Sequence, residues 1–394
     1  MTMHEGTDVV VIGGGVTGAS VSYALARTGA RVICVERSFP AAGASGASFS
    51  VDISSRKTPK AFFDLSVAAA SEHAALEHQL GVTPWSHPAI TLEWGRTAHE
   101  RTVVRERVQR LRGWGYPAEL IDRRAAERLA PAVRFPDDAD DQIARYADQA
   151  WYDTVVLTQL LLWHAQHHDA QVVVGETVDR IDVTGGRVHG VATVQGRRFV
   201  TDIVVDCAGP EADAVARQAG AWLPLEKVPG LVALAPAHAI ALDAIVMAPG
   251  LNVRPAGDGL LKLHSYQADA LIQGDNPDHA AARRELRSRA RALLPGLGAA
   301  NLLRAHVGVR PIPPDGLPVV GPLDGVEGMY AVVTHSAAHL GPLLGRLLAD
   351  ELAGTPSALL NAFRAQRFDE TVPAVEDESF HETRLALADH ATDG

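Results

Sequence analysis

Asp8-Val9-Val10-Val11-Ile12-Gly13-Gly14-Gly15-Val16-Thr17-Gly18 opens the chain's first structural unit. Val9 to Ile12 is apolar and β-branched, a pattern suited to a parallel strand buried on both faces. The strand runs straight into a Gly-x-Gly-x-x-Gly turn. Gly13 permits the tight turn, Gly15 lets a phosphate approach the backbone, and Gly18 lets the following helix pack close to the strand. The spacing predicts that helix over 16–27, with Val16 and Thr17 in its first turn. Its N-terminus offers N–H groups and a positive dipole end to a pyrophosphate. A second strand is predicted over 31–35, and Glu36 follows it, 18 residues past Gly18. A carboxylate there accepts both hydrogen bonds of a ribose diol and repels a 2′-phosphate. The motif therefore predicts a dinucleotide lacking that phosphate, FAD or NAD.

Composition narrows the class. A chain of 394 residues has room for two domains and an ample core. Its 47% hydrophobic and 21% charged residues are ordinary for a globular enzyme. The net charge of −11 argues against nucleic acid and anionic membrane surfaces as partners. No apolar stretch reaches the roughly 18 to 20 residues needed to span a bilayer. The first strand begins within ten residues of Met1, which leaves no room for a leader, so a cytoplasmic location is expected. Cys34 and Cys207 fall in or at the end of predicted strands and read as small buried hydrophobes in a reducing compartment. Seventeen scattered histidines show no metal-ligand spacing, so no metal site is expected.

Further along, helices are predicted over 61–80, 101–114, 155–168, 280–294 and 342–353. Short strands are predicted over 89–94, 171–174, 177–183, 187–194, 198–205 and 328–333, with a β-rich stretch over 223–263. The segment 177–205 reads as a meander of hairpins ending in Val205-Asp206-Cys207-Ala208-Gly209. The alternation implies two interleaved units. A cofactor domain takes 1–80, 145–220 and 305–394; an antiparallel substrate domain takes 81–144 and 221–304.

These residues together resemble the D-amino-acid oxidase superfamily of flavoproteins, in particular its glycine oxidase and monomeric sarcosine oxidase branch. The resemblance rests on Gly13 to Gly18 with Glu36-Arg37, the small-residue segment Gly43 to Ser48, and Val205 to Gly209. Late in the chain it adds Gly308-Val309-Arg310-Pro311, Pro314 to Gly321 and Phe363 to Phe368. It implies an α/β fold: a Rossmann-like FAD-binding domain with an interleaved antiparallel-sheet substrate domain. It also selects FAD over NAD. Ser45, Gly46, Ala47 and Ser48 would line the ribityl and flavin edge, Val178 would contact the adenine side through its backbone, and Cys207, Ala208 and Gly209 would pass close to the cofactor. The helix starting near Pro342 would aim its positive end at the flavin pyrimidine, with Ala337, Ala338, His339 and Leu340 in the turn before it. Relatives carry glycines in that turn where this chain has alanines. Gly308 stands near the place where some relatives carry a flavin-linked cysteine, so non-covalent FAD is expected.

The resemblance implies oxidation at a C–H beside nitrogen, with the hydride passing to flavin. Arg310 matches the family's carboxylate-binding arginine, whose planar fork grips a carboxylate with two hydrogen bonds. Lys262 resembles the sarcosine oxidase lysine that helps activate O₂. His264, Tyr266, His335 and His339 are candidates for orienting the amine or tuning its proton loss. Arg56 and Lys57 fall where sarcosine oxidase carries active-site arginines, and Trp85, His87 and Trp94 are candidates for shaping the pocket. The expectation is an FAD-dependent oxidase of a small carboxylated amine or amino acid, with O₂ as acceptor and the oligomeric state open. Rival readings are a same-fold dehydrogenase with another acceptor, a 2-hydroxy-acid oxidase, and a flavin-binding accessory subunit without turnover of its own.

Overall fold

The computed structural model describes residues 5–81, 85–138, 142–237, 240–298 and 301–368. Its central sheet has six strands in the order Val319–Pro322, Met329–Val333, Val204–Asp206, Val9–Ile12, Val32–Glu36 and Gln171–Val174. All neighbours run parallel except the first pair. Val9–Ile12 and Val32–Glu36 are buried at every residue, and their alternation serves two different cores. Val9, Val11 and Cys34 join one apolar cluster with the helices Val16–Arg27, Thr154–His167 and Ala337–Leu352. Val10, Ile12, Ile33 and Val35 join another with the strand Val178–Thr184 and the helix Ala212–Gln218. A strand covered on both sides has no polar face, which is why this one reads as continuously hydrophobic.

A second sheet has eight strands: Arg304–Ile312, Glu226–Pro236, Leu260–His264, Leu251–Pro255, Ile245–Ala248, Ser86–Glu93, Ile143–Tyr152 and Ala118–Ile121. Its pairs are antiparallel except Ile245–Ala248 with Ser86–Glu93. The helix His279–Leu293 lays Ala282, Leu286, Ala290 and Leu293 on it. Two of its strands, Ile143–Tyr152 and Arg304–Ile312, straddle the expected boundaries at 144/145 and 304/305, with most of each on the cofactor side.

The meander supplies three strands of a third, four-stranded sheet, one edge of which is Glu5–Gly6, and here the expectation over 198–205 needs correction. That run splits into Arg198–Val200, which stays in the meander, and Val204–Asp206, which crosses to the central parallel sheet. Thr201 makes the crossing: its hydroxyl donates to the Asp8 carbonyl oxygen at 3.0 Å and accepts the Ile203 N–H at 3.1 Å, taking up backbone groups where the chain changes sheets.

The late helix also differs. It begins at Ala337, so Pro342 lies inside it rather than at its start. The missing proline N–H removes one helical bond. Burial outweighs that loss, because the helix packs closely on Val16–Arg27. A Cβ on Gly345 would stand 2.6 Å from the Ser20 carbonyl carbon.

Candidate active site

The turn after the first strand leaves no room for side chains. Gly13 has φ near +104°, and a Cβ there would sit 2.6 Å from the Cys207 carbonyl oxygen. A Cβ on Gly18 would overlap the Gly13 carbonyl oxygen. The Val16 N–H donates to Ser45 Oγ at 3.0 Å, which ties the small-residue segment to the helix N-terminus. Glu36, at the end of its strand and buried, accepts the Gly14 N–H on Oε2 at 2.7 Å and the Ser38 N–H on Oε1 at 2.8 Å. Each carboxylate oxygen has a second lone pair, so the group still has capacity for a diol. A bare backbone cradle, a helix N-terminus without an acidic first turn and an acceptor at the next strand end fit a dinucleotide.

Beside this cradle lies a cavity of about 1140 Å³, its open mouth included. Val16, Ser45, Ala47, Ser48, Ala337 and Ala338 form its cofactor-side wall. His264, Tyr266 and Arg310 line it from the eight-stranded sheet side, Arg56 from the short 3-10 helix Ser54–Arg56 and His335 from the turn before the late helix. The geometry thus gathers these eleven sequence-selected residues around one space.

Arg310 Nη2 donates to Asp269 Oδ2 at 2.6 Å and to the Pro229 carbonyl at 3.3 Å. His264 Nδ1 lies 3.1 Å from Asn252 Nδ2 and its Nε2 lies 3.0 Å from the same Asp269 oxygen. Arg56 donates to Glu93 Oε1 at 2.6 Å, and that carboxylate also takes Arg107 at 2.5 Å and the Tyr146 hydroxyl at 2.8 Å. Burial disfavours the charge on Glu93, but the Arg107 and Arg56 guanidiniums overcome it and hold the carboxyl at about 2. Burial, with the Lys57 and Arg310 cations nearby, holds the His335 imidazole well below its usual value and hence neutral.

Several selected residues stand elsewhere. His339 and Leu340 are buried inside the helix core, not on the cavity wall. The reason is the earlier helix start, which turns them inward. His339 Nε2 lies 2.8 Å from the Ser66 carbonyl oxygen, Nδ1 lies 3.1 Å from the Tyr152 hydroxyl, and its own carbonyl takes His73 Nε2 at 2.9 Å. Trp85 belongs to this network, donating to His73 Nδ1 at 3.3 Å. Burial lowers His73 to about 3, and the neighbouring His339 adds to the effect. His87 stacks on Trp151, and Trp94 packs on Phe135. Val178 sits in the core beside Val35; Cys207 and Cys34 are buried and off the cavity; Arg37 is exposed. Thr17 is buried in the first helical turn, Gly46 is exposed, and Ala208 and Gly209 are half-buried past the strand end.

Lys262 lies just behind the wall, its Nζ donating to the Ser48 carbonyl at 3.0 Å. Burial lowers the ammonium to about 8, with the Arg254 guanidinium adding to the effect. Arg254 faces Lys262 across two paired strands. It escaped the sequence reading, yet it is fully buried, donates to the Phe49 carbonyl at 2.5 Å and to the Pro255 carbonyl at 2.6 Å, and lies over Trp151. Asp269, Asn252 and Glu93 were missed too. A lone acid at the end of a short strand or helix gives no periodic signal.

The model of the DAO family, described as FAD dependent oxidoreductase, matches residues 8–351. An uncharacterized oxidoreductase of Bacillus subtilis is 26% identical over 89% of this chain and 96% of its own length. A D-amino acid dehydrogenase of Sinorhizobium medicae is 28% identical, over 66% of this chain and 62% of that protein. Among solved structures, glycine oxidase from Geobacillus kaustophilus superposes with a TM-score of 0.83 at 22% identity, covering 93% of this chain and 99% of that one.

Proposed function

Because this chain belongs to the DAO family of FAD-dependent oxidoreductases, we propose that its cavity oxidises a small carboxylated amine or amino acid at the C–N bond. The observation that carries the proposal is Arg310 at the wall of a cavity that adjoins the dinucleotide cradle. FAD, held without a covalent bond, supplies the hydride acceptor. Arg310 grips the substrate carboxylate. Its Nη2 is fixed by Asp269, while its Nη1 has no partner among the described residues and is available to an incoming oxygen. His335, held neutral by burial and the neighbouring cations, orients the amine and, by not charging beside it, favours binding of the free amine, the form that can give up a hydride easily. Gly43 to Ser48 shape the wall through backbone and small side chains. The amine becomes an imine, which water hydrolyses.

The acceptor is O₂, reduced by two electrons and two protons to H₂O₂. Lys262 supports this reading, because a cation one carbonyl behind the wall favours electron transfer to oxygen. The likeness to a D-amino acid dehydrogenase favours a second reading, in which electrons leave to another acceptor.

The deciding experiment is an anaerobic screen of amino acids and N-methyl amines, following the visible flavin band. At least one carboxylated amine should bleach it, and its decarboxylated analogue should not. Bleaching by a 2-hydroxy acid with no response to any amine would overturn the proposal. Readmitting air then separates oxidase from dehydrogenase: rapid recovery of colour favours O₂.

A further inference from the structure

Among the described residues, Asp269 is the one carboxylate on which two cavity-lining groups converge. It lies on the short helix Tyr266–Ala270 and is wholly buried. Its Oδ2 takes Arg310 Nη2 at 2.6 Å and faces His264 Nε2 at 3.0 Å, while Oδ1 takes the Leu231 N–H at 2.7 Å. Burial opposes ionisation, but His264, Arg310 and the Leu231 N–H together hold the carboxyl below its usual range.

Three donors on one acid constrain everything around it. Asn252 Nδ2 approaches His264 Nδ1 at 3.1 Å. An amide NH₂ only donates, so Nδ1 must accept and the ring proton sits on Nε2, pointing at Asp269. Both ring nitrogens are then engaged, and His264 has no lone pair left to act as a base. Arg310 is tethered on Nη2, which aims the rest of its fork. The bridge also explains a glycine: a Cβ on Gly230 would stand 2.9 Å from Arg310 Nη2 and 3.1 Å from Asp269 Oδ2.

We propose that Asp269 is the positioning residue of the substrate site: one buried carboxylate orients the Arg310 fork, fixes the His264 ring through Nε2, and balances the charge of the carboxylate anchor. The inference rests on the reading of Arg310 as that anchor. It adds a consequence for selectivity. The balanced pair offers orientation rather than raw attraction, so the site favours a substrate carboxylate with the right geometry over small anions in general.

Asp269→Asn tests this. An asparagine cannot accept from all three donors, and the variant leaves Arg310 uncompensated. Acetate serves as the anion probe, titrated against holoenzyme by perturbation of the flavin spectrum. The expected result is a split: acetate binds about tenfold more tightly, while flavin reduction at saturating amine slows at least about tenfold. Nitrogen-15 NMR of labelled histidine should show Nε2–H in the wild type and a changed protonation pattern in the variant, with or without flavin. Gly230→Ala, which wedges a methyl into the bridge, should give the same split in weaker form if Asp269→Asn fails to fold. Unchanged acetate affinity with an unchanged His264 signature would overturn the proposal, as would a parallel weakening of both. If no amine reduces the flavin, the oxidase reading fails, yet the acetate and NMR results still judge Asp269.

Discussion

The dinucleotide cradle and the substrate cavity adjoin, but they are built from different materials. The cradle is made of backbone. Gly13 and Gly18 are fixed by what a Cβ would strike, and Glu36 joins them as a hydrogen-bond acceptor at the next strand end. The cavity wall adds charges, and each cation on it is pinned by a buried counter-charge: Arg310 by Asp269, and Arg56 by Glu93. Sterics at contact distance are all-or-none, whereas charge pairs are graded and can be retuned. Substitutions at the cradle's glycines should therefore abolish binding, and those of charged groups should rescale it.

The largest effect is expected at Gly18. In Gly18→Ala the new methyl overlaps the Gly13 carbonyl, so strand and helix must separate. A loss of more than about 3 kcal/mol of stability is expected, together with a colourless protein. Thermal unfolding and the flavin absorbance of the purified protein measure both, and a yellow, stable Gly18→Ala would break the contrast between the two regions.

Arg310→Ala comes next. It removes a guanidinium and leaves Asp269 buried with its Oδ2 facing only His264. Loss of one partner of such a pair costs about 2–3 kcal/mol, equivalent to roughly a hundredfold in kcat/KM for a carboxylated amine. Flavin content should stay at the wild-type level. An equal loss for a substrate without a carboxylate would show that Arg310 serves the fold instead.

The same contrast explains what the sequence made legible. Steric requirements leave a spaced signature, so Gly13 to Gly18 and Glu36 are readable to the residue. The helix Val16–Arg27 and the strand Gln171–Val174 appear where the pattern places them. Charge pairs leave none. Asp269 comes from a short helix and Arg310 from a strand 41 residues later, and only the pairing of Glu226–Pro236 with strands on both sides brings them together. Arg254 was invisible for a related reason: its partners are mostly backbone carbonyls, which carry no residue identity. The misplaced start of Ala337–Leu352 has a local cause. Pro342 reads as a helix opening, and tertiary burial against Ser20 overrides that reading.

Lys262 sharpens the comparison in pH. Its folded pKa is lowered to about 8, so the ammonium is present below that pH and lost above it. Reoxidation of reduced flavin by air should slow as pH rises through about 8, and Lys262→Met should be roughly tenfold slower at low pH with no such step. Stability moves in the opposite sense. An unfolded lysine keeps its proton up to about 10.4, so between these values the unfolded chain binds more protons and stability rises with pH. Stopped-flow reoxidation and denaturant melts across that window measure the two slopes. A variant that reduces O₂ as fast as wild type at every pH would remove Lys262 from the reaction.

The smallest effect is expected where a side chain serves the cradle. Glu36→Gln keeps the shape of the acceptor but replaces one carboxylate oxygen by an NH₂, which cannot accept the N–H of either Gly14 or Ser38. One of these buried contacts must turn away, at about 1 kcal/mol. FAD affinity should therefore fall about fivefold, read by titrating apoprotein with FAD and following fluorescence quenching. Because the glycine backbone is untouched, the protein should still purify yellow. Loss of charge should also relax the rejection of a 2′-phosphate, so NADP should compete with FAD for the apoprotein better than it does in the wild type. If Glu36→Gln instead abolished flavin binding as completely as Gly18→Ala, the acceptor would have to be counted with the steric frame, and the division between backbone-built and charge-built regions would fall one residue short of where it is drawn.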